Sequence, residues 1–182
     1  MHLFIDTHLN DVVIALYENN ILSKIKILEN VTENSKIIMP NIREILEERV
    51  PNSLIVVNGP GSFTGVRLGV TIAKTFAYTL KKPIRVITSL EAMAVSFDGE
   101  DKVVSFSDNN GYYVGFFTKD NEQYGEYQYL NNNEYKEFTA KYEVKESVPF
   151  DYKKIIEYAL TKNTINAHEV NPIYIKKIDV EK

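Results

Sequence analysis

The stretch from Gly59 to Tyr78, GPGSFTGVRLGVTIAKTFAY, decides how the rest of the chain is read. Its Gly-Pro-Gly-Ser opening turns the chain, and nothing interrupts a helix over about 64–80 before Pro83 blocks its continuation. On such a helix Gly65, Gly69, Ala73 and Ala77 recur every four residues and form one smooth ridge. Leu68, Ile72, Phe76 and Leu80 form a bulky ridge beside it, and Arg67, Thr71, Lys74 and Tyr78 fill the polar side. A glycine inside a helix costs about 1 kcal/mol relative to alanine, so two of them one turn apart point to a close approach by another backbone. That backbone belongs either to the chain's own sheet or to a second polypeptide. The apolar arc exceeds the ~100° stripe that one sheet needs, which favours a docking surface for part of it. Ile38, Met39 and Ile42 of the preceding helix would lie alongside.

Upstream, 2–6, 11–17 and 21–28 are apolar and β-branched runs separated by polar turns, and they predict an antiparallel meander. Ser35 offers a cap for a helix carrying Ile37, Ile38, Ile42, Ile45 and Leu46, with Pro40 inside it as a kink or starting point. Leu54-Ile55-Val56-Val57 and Ile84 to Ile87 have the unbroken apolar character of strands covered on both faces. Ser89 is placed to cap a helix over about 90–97. The order is that of an α/β lobe with a mixed sheet over residues 1–97. A second, reduced lobe is expected over 98–182, with strands at 103–106, 112–117 and 124–130 and a turn at Asp108-Asn109-Asn110-Gly111. Asn131-Asn132-Asn133 reads as a break, Asp151 as the cap of an amphipathic helix, and 172–175 as an extended tail. Ten of the twelve tyrosines fall from Tyr112 onward, which fits strand propensity better than a base-stacking platform.

Composition narrows the chemistry. The chain has 182 residues, 44% hydrophobic and 25% charged, with a formal charge of −4 and no cysteine. Disulfides, thiol nucleophiles and cysteine-ligated zinc are excluded, and a cytoplasmic location is expected. No run approaches the ~20 apolar residues of a helical span, so no membrane association is expected. No dense basic patch supports RNA binding by the chain alone. The glycine cluster is not a Walker A loop, because Gly65 is followed by Val66-Arg67 with no Lys-Ser or Lys-Thr in register, and G-x-G-x-x-G fails because Gly61 is followed by Gly65 and position 64 is not glycine.

At Gly59 to Gly69 the sequence resembles the TsaB family, also called YeaZ, whose hallmark is GPGSFTG followed by an aliphatic residue, an arginine and an apolar-Gly pair. Phe4-Ile5-Asp6-Thr7 is similar to the family's first-strand motif, with His8 where a serine usually follows. Ser89-Leu90-Glu91-Ala92 and Pro172-Ile173-Tyr174-Ile175-Lys176 resemble two further family segments. The resemblance implies a two-lobed, actin-like ATPase (ribonuclease H-like) fold and a shortened second lobe. It implies a subunit without transferase chemistry of its own, which forms homodimers and pairs through first-lobe helices with the catalytic paralogue TsaD. A TsaE-like ATPase joins that assembly, and tRNA is met only within it. The interface residues so implied are Ile38, Met39, Ile42, Gly65, Leu68, Gly69, Ile72, Ala73, Phe76 and Ala77.

No catalytic, cofactor or metal site is expected. An active member of the superfamily holds phosphates on glycine-rich hairpins, yet Asp6-Thr7-His8-Leu9-Asn10 has no glycine and none occurs after Gly125. His2, His8 and His168 lack ligand-pair spacing, and no G-x-S-x-G elbow is present. The alternative from another class is a metal-dependent nuclease of ribonuclease H-like fold, using Asp6, Glu91 and Asp108 as ligands.

Overall fold

The computed structural model describes residues 1–31, 34–146 and 148–175, with the backbone alone for residues 34 and 35. Strands β1 (His2–Asp6), β2 (Val12–Glu18), β3 (Ile21–Leu28), β4 (Ser53–Val57) and β5 (Ile84–Ile87) form one mixed sheet in the order β3-β2-β1-β4-β5. β2 runs antiparallel to β1 and β3, whereas β1, β4 and β5 are parallel. Period-two alternation explains why β1, β2 and β4 are apolar throughout: Leu3, Ile5, Val12, Ile14, Leu16, Leu54 and Val56 face one helical layer, while Phe4, Val13, Ala15, Ile55 and Val57 face the other. The first layer is α1 (Asn34–Leu46) and α2 (Phe63–Leu80). The second contains α3 (Ser89–Val95) and α5 (Tyr152–Thr161).

A second mixed sheet, ordered β8-β7-β6-β9, comprises β6 (Lys102–Ser107), β7 (Gly111–Phe117), β8 (Gln128–Asn131) and β9 (Val144–Lys145). α3 is shared between the sheets. Leu90, Met93 and Ala94 pack on Val104, Tyr113 and Phe117, while Ala92 and Val95 face the first sheet. The outer face is covered by α4 (Asn132–Thr139), where Tyr135 is buried and stacks on Tyr112 at 3.6 Å between centroids. The expected mixed sheets and actin-like architecture are both present, and the tyrosines of the second sheet are mainly packing groups.

Several local expectations change. Asn131 does not end regular structure; its side chain accepts from the backbone N–H of Asn133 and Glu134, and Glu134 returns the bond, so it caps α4. Thr88, not Ser89, caps α3, in a reciprocal box with Glu91. This frees the Ser89 hydroxyl to donate to Pro60 O at 2.5 Å. α1 runs through Pro40, and the proposed capping side chain of Ser35 lies outside the described residues, as does Lys176. The chain after residue 150, expected in the second lobe, returns to the first sheet. There Ile155, Ile156 and Ala159 of α5 are buried against Phe4 and Ile55, Ile165 bridges to Ile84, and the Ile173 N–H donates to Asn58 O at 2.8 Å. An amphipathic helix signals that it must cover something; it carries no label saying which sheet.

Candidate functional site

The Gly-Pro-Gly turn delivers the start of α2 against the end of β1. The Ser62 N–H donates to His8 O at 2.8 Å, and the Ser62 hydroxyl caps the helix by accepting from the Gly65 N–H at 3.3 Å. Thr7 Oγ1 donates to Gly65 O at 2.7 Å. A Cβ at Gly65 would strike the Thr7 carbonyl oxygen, and one at Gly69 would strike Thr7 Oγ1. The smooth ridge therefore seats α2 on its own sheet. Gly65, Gly69, Ala73 and Ala77 are buried inside the chain, as are Ile38 and Ile42 of α1. Their expected place on a partner-docking surface is corrected. The close backbone approach read from the glycines is real, and the backbone approached is that of β1's continuation.

What α2 leaves partly exposed is Leu68, Phe76 and Leu80 of the bulky ridge, while Ile72, also expected on the docking surface, joins the buried core. Leu68 and Phe76 are half-buried, Ile72 sits between them at 9% exposure, and Met39 of α1 is half-buried on the same layer. Thr71 and Thr75 are exposed. Phe63 and Tyr174, each 54% exposed, lie together at the N-terminal end of α2, with the Arg67 guanidinium 4.9 Å above the Phe63 ring.

Beside that end opens a cleft of about 970 Å³ between the two sheets, walled by the 8–11 turn, the start of α2, the 106–110 turn and residues 173–175. No lysine or arginine lines the cleft among the described residues, while Asp11 and Asp108 do. The turn after β1 is filled by His8, whose Nδ1 lies 2.6 Å from Asp6 Oδ1 and whose backbone N–H donates to the same oxygen at 3.0 Å. His8 is 2% exposed, its ring packs edge-on against Phe106 and Phe150, and its Nε2 has no hydrogen-bond partner.

The three carboxylates of the nuclease alternative are held apart in separate tasks. Asp6 binds His8; Glu91 accepts the Thr88 N–H at 2.7 Å and pairs with Lys162 at 2.5 Å. Asp108 Oδ1 accepts from the backbone of Asn110 and Gly111 and from the Tyr129 hydroxyl. Among the described residues no group of three histidine, aspartate or glutamate side chains is placed to hold a metal ion.

One buried group was missed from the sequence. Lys102 is 3% exposed, and its Nζ donates to Ala94 O, Phe97 O and Asn121 Oδ1 at 2.7–3.0 Å. Burial pushes its pKa down. The signal was available: Lys102 shares strand parity with Val104, which faces α3.

Residues 28–111 match the family model described as TsaD, tRNA N6-adenosine threonylcarbamoyltransferase. The chain is 45% identical over 69 residues to the tRNA threonylcarbamoyladenosine biosynthesis protein TsaB of Bacillus subtilis, covering 34% of this chain and 30% of that protein. It is 31% identical over 98 residues to the TsaB of Buchnera aphidicola, covering 50% and 46%. The matched segments thus span less than half the length of these curated relatives. In structure it is similar to an uncharacterized Pseudomonas aeruginosa protein with similarity to peptidase YEAZ, at TM-score 0.77 and 15% identity over 96% of this chain and 99% of that one. YeaZ from the same organism gives TM-score 0.74 at 16% identity, over 95% and 98%. Fold and strand order define an α/β protein of the actin-like ATPase, ribonuclease H-like class. Within that class, the curated relatives and the solved structure it is similar to are TsaB (YeaZ) proteins. Among the described residues, no helix is long and apolar enough to cross a membrane.

Proposed function

We propose that this chain acts in tRNA threonylcarbamoyladenosine biosynthesis as a non-catalytic cytoplasmic subunit that docks a TsaD-like catalytic partner. Support for the pathway comes from the names of the relatives it matches. The observation that carries the docking role is the outward ridge of α2: Leu68 and Phe76 stay half-exposed beside Met39 although the inner ridge already satisfies the sheet. Helices of the partner would lie across this ridge. A homodimer would use the same surface and compete with the heteromer, and a TsaE-like ATPase and tRNA would be met only in the assembled complex. The non-catalytic role is supported by the separate tasks that Asp6, Glu91 and Asp108 perform.

The test is reconstitution of the modification with the organism's TsaD-like paralogue, with and without this chain, beside a Thr71→Arg, Thr75→Arg variant. Both threonines are exposed, so the variant should melt like the parent, because surface changes of this kind stay within about 0.5 kcal/mol. It should lose co-purification and support of the reaction. Full support by a folded variant would sink the docking surface; modification at full rate without the chain would sink the function.

A further inference from the structure

Packing accounts for only part of the GPGSFTG stretch and the helix it starts. The glycines and Ser62 seat α2 on the first sheet, whereas Phe63 and Arg67 stay exposed. With Lys74 and Tyr78 they recur at intervals of four, seven and four residues, which places them on one face of the helix. Residues 167–175 run beside that face in the opposite direction. The His168 ring lies 4.9 Å from Tyr78, its carbonyl oxygen accepts from Lys74 Nζ at 3.2 Å, and the Tyr174 ring lies 5.5 Å from Phe63. Tyr78 is 65% exposed, and Phe63 and Tyr174 are 54% exposed. An aromatic pair thus stands at each end of the stripe, about 22 Å apart along the helix, with two cations between them. α2 carries no acidic residue, and Glu169 is the one acid of 167–175. Among the described residues no carboxylate pairs with Arg67 or Lys74, whose contacts are the Phe63 ring and the His168 carbonyl. In a chain of formal charge −4, this face is locally cationic.

We propose that this stripe is a contact for single-stranded RNA, with phosphates on Arg67 and Lys74 and bases on the Phe63–Tyr174 and Tyr78–His168 rings. Aromatic faces interleaved with cations suit that polymer, because every base offers a flat face and every link a negative charge. The choice of RNA over an acidic protein rests on the function proposed above, and the stripe gives that function a place where its substrate touches this subunit. Two phosphate contacts are too few to hold RNA on the chain alone at physiological salt, so the strand is held by the assembly and positioned here. The stripe is a different face of α2 from Leu68 and Phe76, which leaves it open while a partner covers them.

The full chain is titrated with a short unstructured RNA strand, with the same sequence as a duplex, and with polyglutamate, while aromatic ring resonances are followed by NMR. The expected result is saturable binding of the single strand at low salt that moves Phe63, Tyr78, His168 and Tyr174. The duplex, whose bases are already stacked, should leave those rings in place. Two phosphate contacts correspond to about a seven-fold loss of affinity between about 50 and 200 mM salt. Arg67→Gln removes one of them and should reduce that loss to about two- to three-fold. Tyr78→Ala should weaken binding about five-fold or more, and at so exposed a position it should leave the melting temperature unchanged. No saturation by about 1 mM RNA, movement of other rings instead, an equal response to the duplex, a stronger response to polyglutamate, or unchanged affinity in both variants would each overturn the proposal. The chain is titrated without its partner, so this outcome is independent of the reconstitution that tests the function.

Discussion

A methyl group at residue 65 would meet the carbonyl oxygen of Thr7, and one at residue 69 the Thr7 hydroxyl. The two obstacles differ, because a backbone carbonyl cannot step aside whereas a side-chain oxygen can rotate at the cost of its bond to Gly65 O. Gly65→Ala is therefore expected to destabilise more than Gly69→Ala, both within the ~1–3 kcal/mol typical of overpacking. Thr7→Ala should relieve Gly69→Ala and not Gly65→Ala. Urea denaturation of the two double-mutant cycles measures this, and equal coupling in both would contradict the geometry. The same two glycines show how far a residue pattern reaches. Two small residues one turn apart announce close approach, and that much was legible at Gly65 and Gly69. They do not say what approaches. The deciding atom belongs to Thr7, 58 positions away in sequence, and no periodicity connects the two.

β2 and β4 were legible because both of their faces are buried, so sequence and environment carry one message there. α4 was not, because its polar composition leaves only Tyr135 buried and its triple asparagine start imitates a turn. The cap chemistry was present in Asn131 and Glu134, three residues apart, and went unread. At the candidate site, the motif around Ser62 located the helix start, but the cleft needed the tertiary structure, since it joins turns a hundred residues apart in sequence. The join between α3 and the second sheet rests on Lys102, whose ammonium takes up the carbonyls of Ala94 and Phe97 at the end of α3 and the Asn121 side chain. Lys102→Met keeps the apolar stem and removes all three donors. A loss of about 1.5–3 kcal/mol is expected, the range for hydrogen bonds to a charged group. Chemical denaturation monitored by tyrosine fluorescence reads it; an unchanged midpoint would show that the ammonium contributes nothing net.

At the scale of the whole molecule, buried phenols bias stability against alkali. Burial first, then the nearby Asp108 carboxylate, pushes the Tyr113 pKa up to about 12. Burial and the Glu146 bond raise Tyr135 to about 12 as well, against the lowering effect of Ser105. Tyr127 and Tyr152 are raised too, chiefly by burial. In the unfolded chain these groups lose their protons near pH 10, so the folded state holds more protons above that point. Their contribution is intact below about pH 10 and is lost as pH climbs toward 12. Melting temperature should fall across that interval, and less steeply in Tyr113→Phe; a flat profile from pH 9 to 11.5 would refute this. The return of the later chain to the first sheet has a consequence in time. Residues 151–173 supply Ile155, Ile156, Ala159 and Val170 to the cores around β1, β4 and β5, so a ribosome must make the second sheet before the first can be finished. At about 5–20 residues per second, the α5-facing side of the first sheet waits uncovered for several seconds of translation. Ribosome-bound chains arrested at increasing lengths should gain protease protection of residues 1–97 only once residue 173 has emerged, and until then the nascent sheet is a client for any chaperone that shields aliphatic surfaces.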